Sequence, residues 1–354
     1  MIKALTMSLE FKYKKYCYID PFDMVNVTYM GNIVEAKNIK NINTECRILK
    51  LKDNKFKDKA TGEIKDCKKQ IENRSQGDIS LRRTRRDIGR VINTNCSNEN
   101  MKRCMFVTLT YKEAMQDTKI LQKDLKIFVR KFRYHYGQDI QFIMLLAPQI
   151  KRKDAWAWHI HTIFIFPKKA PFIDNRDIQD LWGHGITNSQ YKLYDKIKNL
   201  AAYFIGHLRD MPLEEVIKAG IPYDEKDIKK VWINYQTGEK LDKPLLIVKG
   251  ARTKYYPPNF KILRKSEKLD TPRKERKKYH ELRKEVGYRI PTSSSTLQII
   301  DNENGWSNTI KTEEYNLSIG TTLKPNARDL KAINYIKQQQ EKEMKNFTTD
   351  ELNF

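Results

Sequence analysis

The chain has 354 residues, and its 68 Lys and Arg residues outnumber its 44 Asp and Glu residues, which leaves a formal net charge of +24. Such a field attracts polyanions and predicts nucleic acid as the partner, while the lack of a basic amphipathic helix argues against a membrane surface. The cysteines form no Cys-x-x-Cys pair, no apolar run approaches the ~20 residues that span a bilayer, and Met1–Leu9 is not a convincing signal peptide. A reducing cytosol is therefore expected.

The N-terminal part of the chain is predicted to be rich in strands and then strongly basic. Residues 1–71 alternate apolar and polar side chains between turn signals, which indicates a strand-rich N-terminal extension. Ser80–Ile92 has the apolar spacing of a helix and carries five arginines, which are expected to contact DNA phosphates because guanidinium forks match phosphate oxygens. The alternative is a solvated helix face. The five are Arg82, Arg83, Arg85, Arg86 and Arg90.

Residues 72–215 alternate predicted strands and helices, in an order that indicates an α+β domain on a central antiparallel sheet with flanking helices. The strands are Cys104–Tyr111, Gln141–Ala147 and Trp158–Phe166, and the helices are Asp117–Tyr136, Asp174–Trp182 and Asp195–Asp210. Residues 216–290 are predicted to be a basic extension, and residues 291–354 a polar, weakly ordered tail with one helix.

The sequence Trp158-His159-Ile160-His161 predicts a metal site on the third of these strands. Side chains alternate along a strand, so His159 and His161 point to the same face, where two imidazoles can hold one divalent ion. Two further ligands are open: Gln149, if its strand lies beside the histidine strand, and His207, from the following helix. Two histidines and one further ligand leave positions free for a substrate phosphate.

Tyrosines near this site are candidate nucleophiles. Tyr203 and His207 are four residues apart, so they share a helix face and can reach the same metal edge. A phenolate that attacks a phosphodiester stores the bond energy in a new phosphodiester, so the strand can be rejoined. Tyr191 and Tyr194 are rivals just upstream, and a half-buried structural tyrosine is the alternative interpretation of Tyr203.

Taken in order, these motifs resemble the HUH-class replication initiator endonucleases, the rolling-circle Rep proteins of plasmids, integrative elements and small phages. The resemblance covers roughly residues 72–266. It is carried by the strand Phe106-Val107-Thr108-Leu109-Thr110-Tyr111, the metal motif Trp158-His159-Ile160-His161, the turn Leu181-Trp182-Gly183-His184-Gly185, the nucleophile motif Ala201-Ala202-Tyr203, and the basic segment Lys249-Gly250-Ala251-Arg252 through Tyr256-Pro257-Pro258-Asn259-Phe260-Lys261.

The resemblance implies a ferredoxin- or RRM-like HUH core, and an enzyme that nicks one strand of origin DNA. Tyr203 would be the nucleophile and Mn²⁺ or Mg²⁺ the cofactor. The DNA would be single-stranded or a hairpin, and a host helicase and polymerase would follow in the bacterial cytoplasm, because the chain has no Walker-type loop of its own.

Two positions depart from the family pattern. Gln149 stands where the family usually has an acid, and Gly206 stands where it usually has a lysine three residues after the tyrosine. Lys196 and Lys198 are expected to compensate by contacting DNA. The departures leave two alternatives: a non-catalytic DNA-binding protein that retains the fold, or an HUH transposase or relaxase. Trp156 and Trp158 are candidates for stacking on bases, although their place on the face opposite His159 favours core packing.

Overall fold

The computed structural model describes residues 9–41, 48–51, 55–59, 61–66, 78–150, 155–190, 200–233, 240–301, 305–319 and 321–350. Within these ranges the backbone, but not the side chains, of residues 202, 203 and 207 is described. The chain forms two compact units, one from Met1–Asp66 with Pro272–Phe354 and one from Cys67–Thr271. No helix in the described ranges is both long and apolar enough to cross a membrane.

The strands, numbered in chain order, are β1 (Leu9–Lys14), β2 (Met24–Met30), β3 (Ile33–Ile39), β4 (Ile48–Lys50), β5 (Lys55–Asp58), β6 (Ile64–Asp66), β7 (Cys104–Thr110), β8 (Gln141–Ile150), β9 (Trp156–Ile165), β10 (Thr187–Gln190), β11 (Met211–Pro212), β12 (Ile228–Ile233), β13 (Lys240–Val248), β14 (Leu263–Lys265), β15 (Arg273–Lys278), β16 (Ser293–Asp301) and β17 (Trp306–Asn316). The α-helices are α1 (Asp78–Asn95), α2 (Thr118–Tyr136), α3 (Asn175–Trp182), α4 (Leu200–Arg209), α5 (Leu213–Lys218), α6 (Tyr279–Glu285) and α7 (Ala327–Asp350). All strand pairs are antiparallel, which confirms the predicted α+β class with antiparallel sheets and flanking helices.

The first unit is built around a six-stranded sheet in the order β1-β16-β17-β3-β2-β15. Residues 291–354, predicted as a tail with a single helix, therefore supply two strands as well as α7. The prediction missed β16 because its sequence begins with three serines and a threonine, Ser293 to Thr296, and has little apolar content there. Its strand conformation comes from backbone pairing with β1 on one side and β17 on the other.

A polar cluster lies in the core of this first unit. The carboxylate of Glu313 accepts hydrogen bonds from the hydroxyls of Tyr279 and Tyr315. Arg283 donates to both oxygens of Asp329, at 3.0 Å each, and both side chains are almost fully buried. Burial, together with the neighbouring Tyr315 and Glu313, raises the pKa of Tyr279 far above its usual value. The cluster is consistent with the rule that buried polar groups are hydrogen-bonded.

The second unit is built around a five-stranded sheet in the order β10-β7-β9-β8-β14, so the histidine strand β9 is central. On one face, Phe132 of α2 stacks on Phe164 of β9 with ring centroids 3.8 Å apart. On the other face, Phe204 of α4 stacks on Phe106 of β7 at 6.4 Å. The helix α1 packs against α4. The sheet is therefore covered by helices on both faces.

The second unit also extends past the predicted boundary at residue 215. The strand β14 pairs with β8 and closes one edge of the main sheet. The strands β11, β13 and β12 form a small sheet whose core includes Ile150 at the end of β8. The sequence could not show this extension, because β14 is three residues long and its pairing is made by backbone groups, which leave no side-chain pattern.

Candidate active site

The two histidines lie side by side on the central strand. In the register of the sheet, His159 is opposite Thr110 of β7 and Ala147 of β8. The imidazole rings of His159 and His161 are stacked, with centroids 4.7 Å apart and an interplanar angle of 25°. Both side chains are half-buried, whereas Trp158 on the opposite face is fully buried. The strand therefore presents two adjacent imidazoles on one face, with their backbone anchored in the core.

Gln149 lies on the same face, one residue pair beyond the histidines. It is opposite Ala157, and opposite residues of an antiparallel pair project to the same side. Its side chain is exposed. The backbone of His207 belongs to α4, but its side chain lies outside the description. Among the side chains that are described, no three of His, Cys, Asp or Glu come together as a metal site. The third ligand stays a prediction.

Helix α4 lies against the histidine face of the sheet. Its ring contact with the metal strand is made by Phe204, whose centroid is 5.6 Å from that of His161 in an edge-on arrangement. The backbone of Tyr203 directly precedes Phe204 on this helix, while its phenol is not part of the description. The buried residues that fix the helix on the sheet are Leu200, Ala201, Phe204 and Leu208.

The segment before α4 lies outside the described residues. It includes the rival nucleophiles Tyr191 and Tyr194 and the predicted DNA-contacting lysines Lys196 and Lys198. Their predicted roles stay predictions.

A groove of about 920 Å³ opens at the end of the sheet next to the histidine pair. We call it the sheet-end groove. Its sheet residues include Thr110, Ala157 and Gln149, and a loop with His184 forms its opposite wall. Its lining residues are Thr110 to Ala114, Gln149, Ala155 to Ala157, Gln179, Asp180 and Gly183 to Ile186. Gln149 thus faces an open space that a substrate can enter.

The turn Leu181 to Gly185 builds the wall of the sheet-end groove. The indole nitrogen of Trp182 donates to the carbonyl oxygen of Thr110 at 2.7 Å. Gly183 ends α3 in the left-handed region, with φ of 70°. A Cβ on Gly185 would lie 2.4 Å from the same carbonyl oxygen, so only glycine fits there. The motif therefore holds the loop tightly against the end of β7.

His184 takes part in a polar cluster that the sequence did not predict. Its Nε2 lies 3.7 Å from a carboxylate oxygen of the buried Asp124, and the other oxygen accepts a hydrogen bond from the Tyr111 hydroxyl at 2.9 Å. Burial, and then the contact with Asp124, raises the pKa of Tyr111 strongly. A signal existed: Asp124 lies on the apolar face of α2 between Leu121 and Phe128, where an acid needs a partner.

The predicted basic helix is present as α1. Its apolar residues Leu81, Ile88, Val91 and Ile92 are buried. Of its five arginines, Arg82, Arg83 and Arg86 are exposed, whereas Arg85 and Arg90 are half-buried.

Arg85 has an electrostatic role within the fold. It is close enough to Asp210 to oppose the rise in the pKa of that carboxyl, which is caused by burial. Contact of the helix with DNA stays a prediction.

The two tryptophans of β9 have mainly structural contacts. Trp158 stacks on Phe260 with ring centroids 4.5 Å apart, and its indole nitrogen donates to the carbonyl oxygen of Gln116 at 3.0 Å. Trp156 packs edge-on against Trp158 and is half-buried, but it also lines the sheet-end groove. Of these two rings, Trp156 is the one accessible to a base in this arrangement.

Comparison with known proteins finds one family model that matches part of the chain. The model is that of a family named for the replication-associated protein ORF2, and it matches residues 104–209. No curated protein and no solved structure matches the chain. The matched stretch runs from the start of β7 to the end of α4 and so contains the histidine strand, the glycine-flanked turn and the helix of Tyr203. In this stretch the chain is similar to replication-associated proteins.

Proposed function

We propose that this protein is a rolling-circle replication initiator that nicks one strand of DNA at an origin, with Tyr203 as the nucleophile. The observation that carries the proposal is the pair of stacked imidazoles on the central strand, packed against the helix that bears Tyr203. The similarity of residues 104–209 to replication-associated proteins supports the same conclusion.

The reaction is a transesterification at phosphorus. The phenolate oxygen of Tyr203 attacks the scissile phosphate, and a new bond forms between that oxygen and phosphorus. The bond from phosphorus to the 3′ oxygen breaks, and the departing oxygen takes up a proton. The products are a 5′-phosphotyrosyl protein and a free 3′ hydroxyl that can prime synthesis. No external energy source is needed, because one phosphodiester replaces another.

The residues at the site fit a divalent metal, Mn²⁺ or Mg²⁺. His159 and His161 would supply two imidazole nitrogens, and Gln149 or His207 a third donor. Half-burial of the imidazoles on a rigid strand and the open space in front of Gln149 support this choice. A bound metal would act as a Lewis acid that withdraws charge from a phosphoryl oxygen.

The proposed substrate is origin DNA, presented as a single strand or a hairpin, and the net charge of +24 favours its encounter with the chain. A host helicase would unwind the duplex and a host polymerase would extend the 3′ end, in the bacterial cytoplasm. The alternatives are a DNA-binding protein without catalytic activity and a transposase or relaxase that uses the same chemistry.

The test is a nicking assay on a supercoiled plasmid that carries the candidate origin, with Mn²⁺ added. The chain should relax the plasmid and form a covalent protein–DNA adduct. Tyr203→Phe removes one oxygen and should abolish the adduct while DNA binding persists. Tyr194→Phe is the matched control and should keep the adduct.

Two results would change the proposal. An adduct that survives Tyr203→Phe and is lost in Tyr194→Phe would transfer the role to Tyr194. Tight origin binding without any nicking, in a folded protein, would favour the non-catalytic alternative.

A further inference from the structure

A second groove lies on the face of the main sheet opposite to the histidine pair. It has a volume of about 1260 Å³ and runs between α2 and the segment 257–265. Its floor includes Phe142 and Met144 of β8, which alternate with the residues of the histidine face. We call it the basic groove. Its lining residues are Thr118, Gln122, Lys123, Leu125, Lys126, Val129, Arg133, Phe142, Met144, Pro257 to Lys261 and Leu263 to Lys265.

The lining of the basic groove is cationic without compensation. It contains six cations and no carboxylate; the cations are Lys123, Lys126, Arg133, Lys261, Arg264 and Lys265. None of the six forms an ion pair with any residue that the structure describes. The four lysines are exposed at the rims. The groove therefore concentrates positive charge that nothing in the described fold neutralises.

Arg264 points to the chemistry of the missing partner. It is opposite Met144 in the register, which places it on the groove side of the sheet. Its Nε is buried and has no hydrogen-bond partner in the described part of the chain, and burial lowers the pKa of this arginine. A buried donor left unpaired is costly. A phosphate oxygen would satisfy both the donor and the charge.

The charges on α2 form a line rather than a cluster. Lys119, Lys123, Lys126, Arg130 and Arg133 are spaced by four, three, four and three residues, which is one face of a helix. The line spans ~21 Å at the helical rise of ~1.5 Å per residue. An extended polyanion with regularly spaced charges fits this line better than a small anion.

The aromatic residues of the groove favour duplex over single-stranded DNA. Single strands are held largely by stacking on accessible rings. Here the rings of Phe142 and Phe260 are half-buried and buried, respectively, and lie in the floor. Contacts from lysine and arginine to the backbone do not need exposed bases.

We propose that the basic groove is a second DNA-binding surface, which holds the sugar–phosphate backbone of double-stranded DNA. It lies on the opposite face of the sheet from the histidine pair. It goes beyond nicking, because binding there needs neither the metal nor Tyr203.

The test measures binding of the full chain to a duplex and to a single strand of the same sequence, over a range of salt concentrations, with a metal chelator present. The groove variant is Lys123→Ala, Lys126→Ala and Lys265→Ala. The matched control is Lys168→Ala, Lys169→Ala and Lys218→Ala, which removes the same charge from exposed positions outside the groove.

The groove variant should flatten the log–log dependence of duplex affinity on salt by about 2 to 3 units, since each phosphate contact contributes about 0.9. The control should change it by less than about one unit. Arg264→Gln should remove about one further unit. Equal slopes in groove variant and control would overturn the proposal, and so would a loss confined to the single strand. The chelator separates these outcomes from a failure of nicking.

Discussion

The two units treat polar side chains near their cores in different ways. In the first unit, Glu313 and the pair Arg283–Asp329 are buried and their hydrogen bonds are made within the fold. In the second unit, His159 and His161 are half-buried next to an open groove. A buried and satisfied network stabilises one conformation. A polar pair at the edge of an opening is instead arranged for a ligand. Substitutions in the two places should therefore have opposite signatures.

The largest effect is expected at the histidine pair. Changing His159 and His161 together to Ala should reduce plasmid nicking to background, because it removes both proposed imidazole ligands. The thermal unfolding midpoint should change little, since neither side chain is fully buried. His135→Ala, an exposed histidine on α2, is the control and should nick normally. Normal nicking by the double variant would show that no metal is held there.

The opposite signature is expected at Asp329. The substitution Asp329→Ala leaves the guanidinium of Arg283 buried without its carboxylate, which should lower the free energy of unfolding of the first unit by about 3 to 5 kcal/mol. Hydrogen exchange of the amides in β16 and β17 reports this loss. Nicking by the molecules that remain folded should persist.

The control for Asp329 is an ion pair on the surface of the same unit. Glu63 and Lys65 are 2.6 Å apart and both exposed, so Glu63→Ala should cost only about 0 to 1 kcal/mol. If both substitutions cost the same, the buried pair is not what distinguishes the first unit.

The smallest effect should identify the third metal ligand. Gln149→Ala and His207→Ala are compared by the Mn²⁺ concentration that gives half-maximal nicking. The true ligand should raise that concentration about 10-fold or more, the scale seen when residues that support a metal are removed. Ser189→Ala, on the edge strand β10, is the control. No shift in either variant would mean that neither residue is a ligand.

Local pattern was enough for the elements of the matched segment. The alternation around His159 and His161 predicted that both share a face, and the strand register agrees. The apolar spacing in Ser80–Ile92 and Asp117–Tyr136 predicted α1 and α2, because a helix repeats its faces every three to four residues. These features depend on residues close in sequence, so the sequence carries them openly.

Features made by distant segments could not be predicted in this way. The pairing of Gln149 with Ala157, which brings that amide beside the histidines, depends on the register of β8 and β9. The contact of His184 with Asp124 joins a turn to a helix sixty residues earlier. The basic groove needs β14, a strand of three residues that only the edge of β8 specifies.

By itself, then, the sequence determined the periodic elements, the excess of positive charge and the shared face of the two histidines, since each is set by residues near in the chain or by composition. Tertiary structure alone decided which side chains from separate segments meet: the satisfied cluster around Glu313, the wall of the sheet-end groove and the two rims of the basic groove. The physical reason is that backbone pairing sets strand register and edges, and backbone groups are the same at every residue.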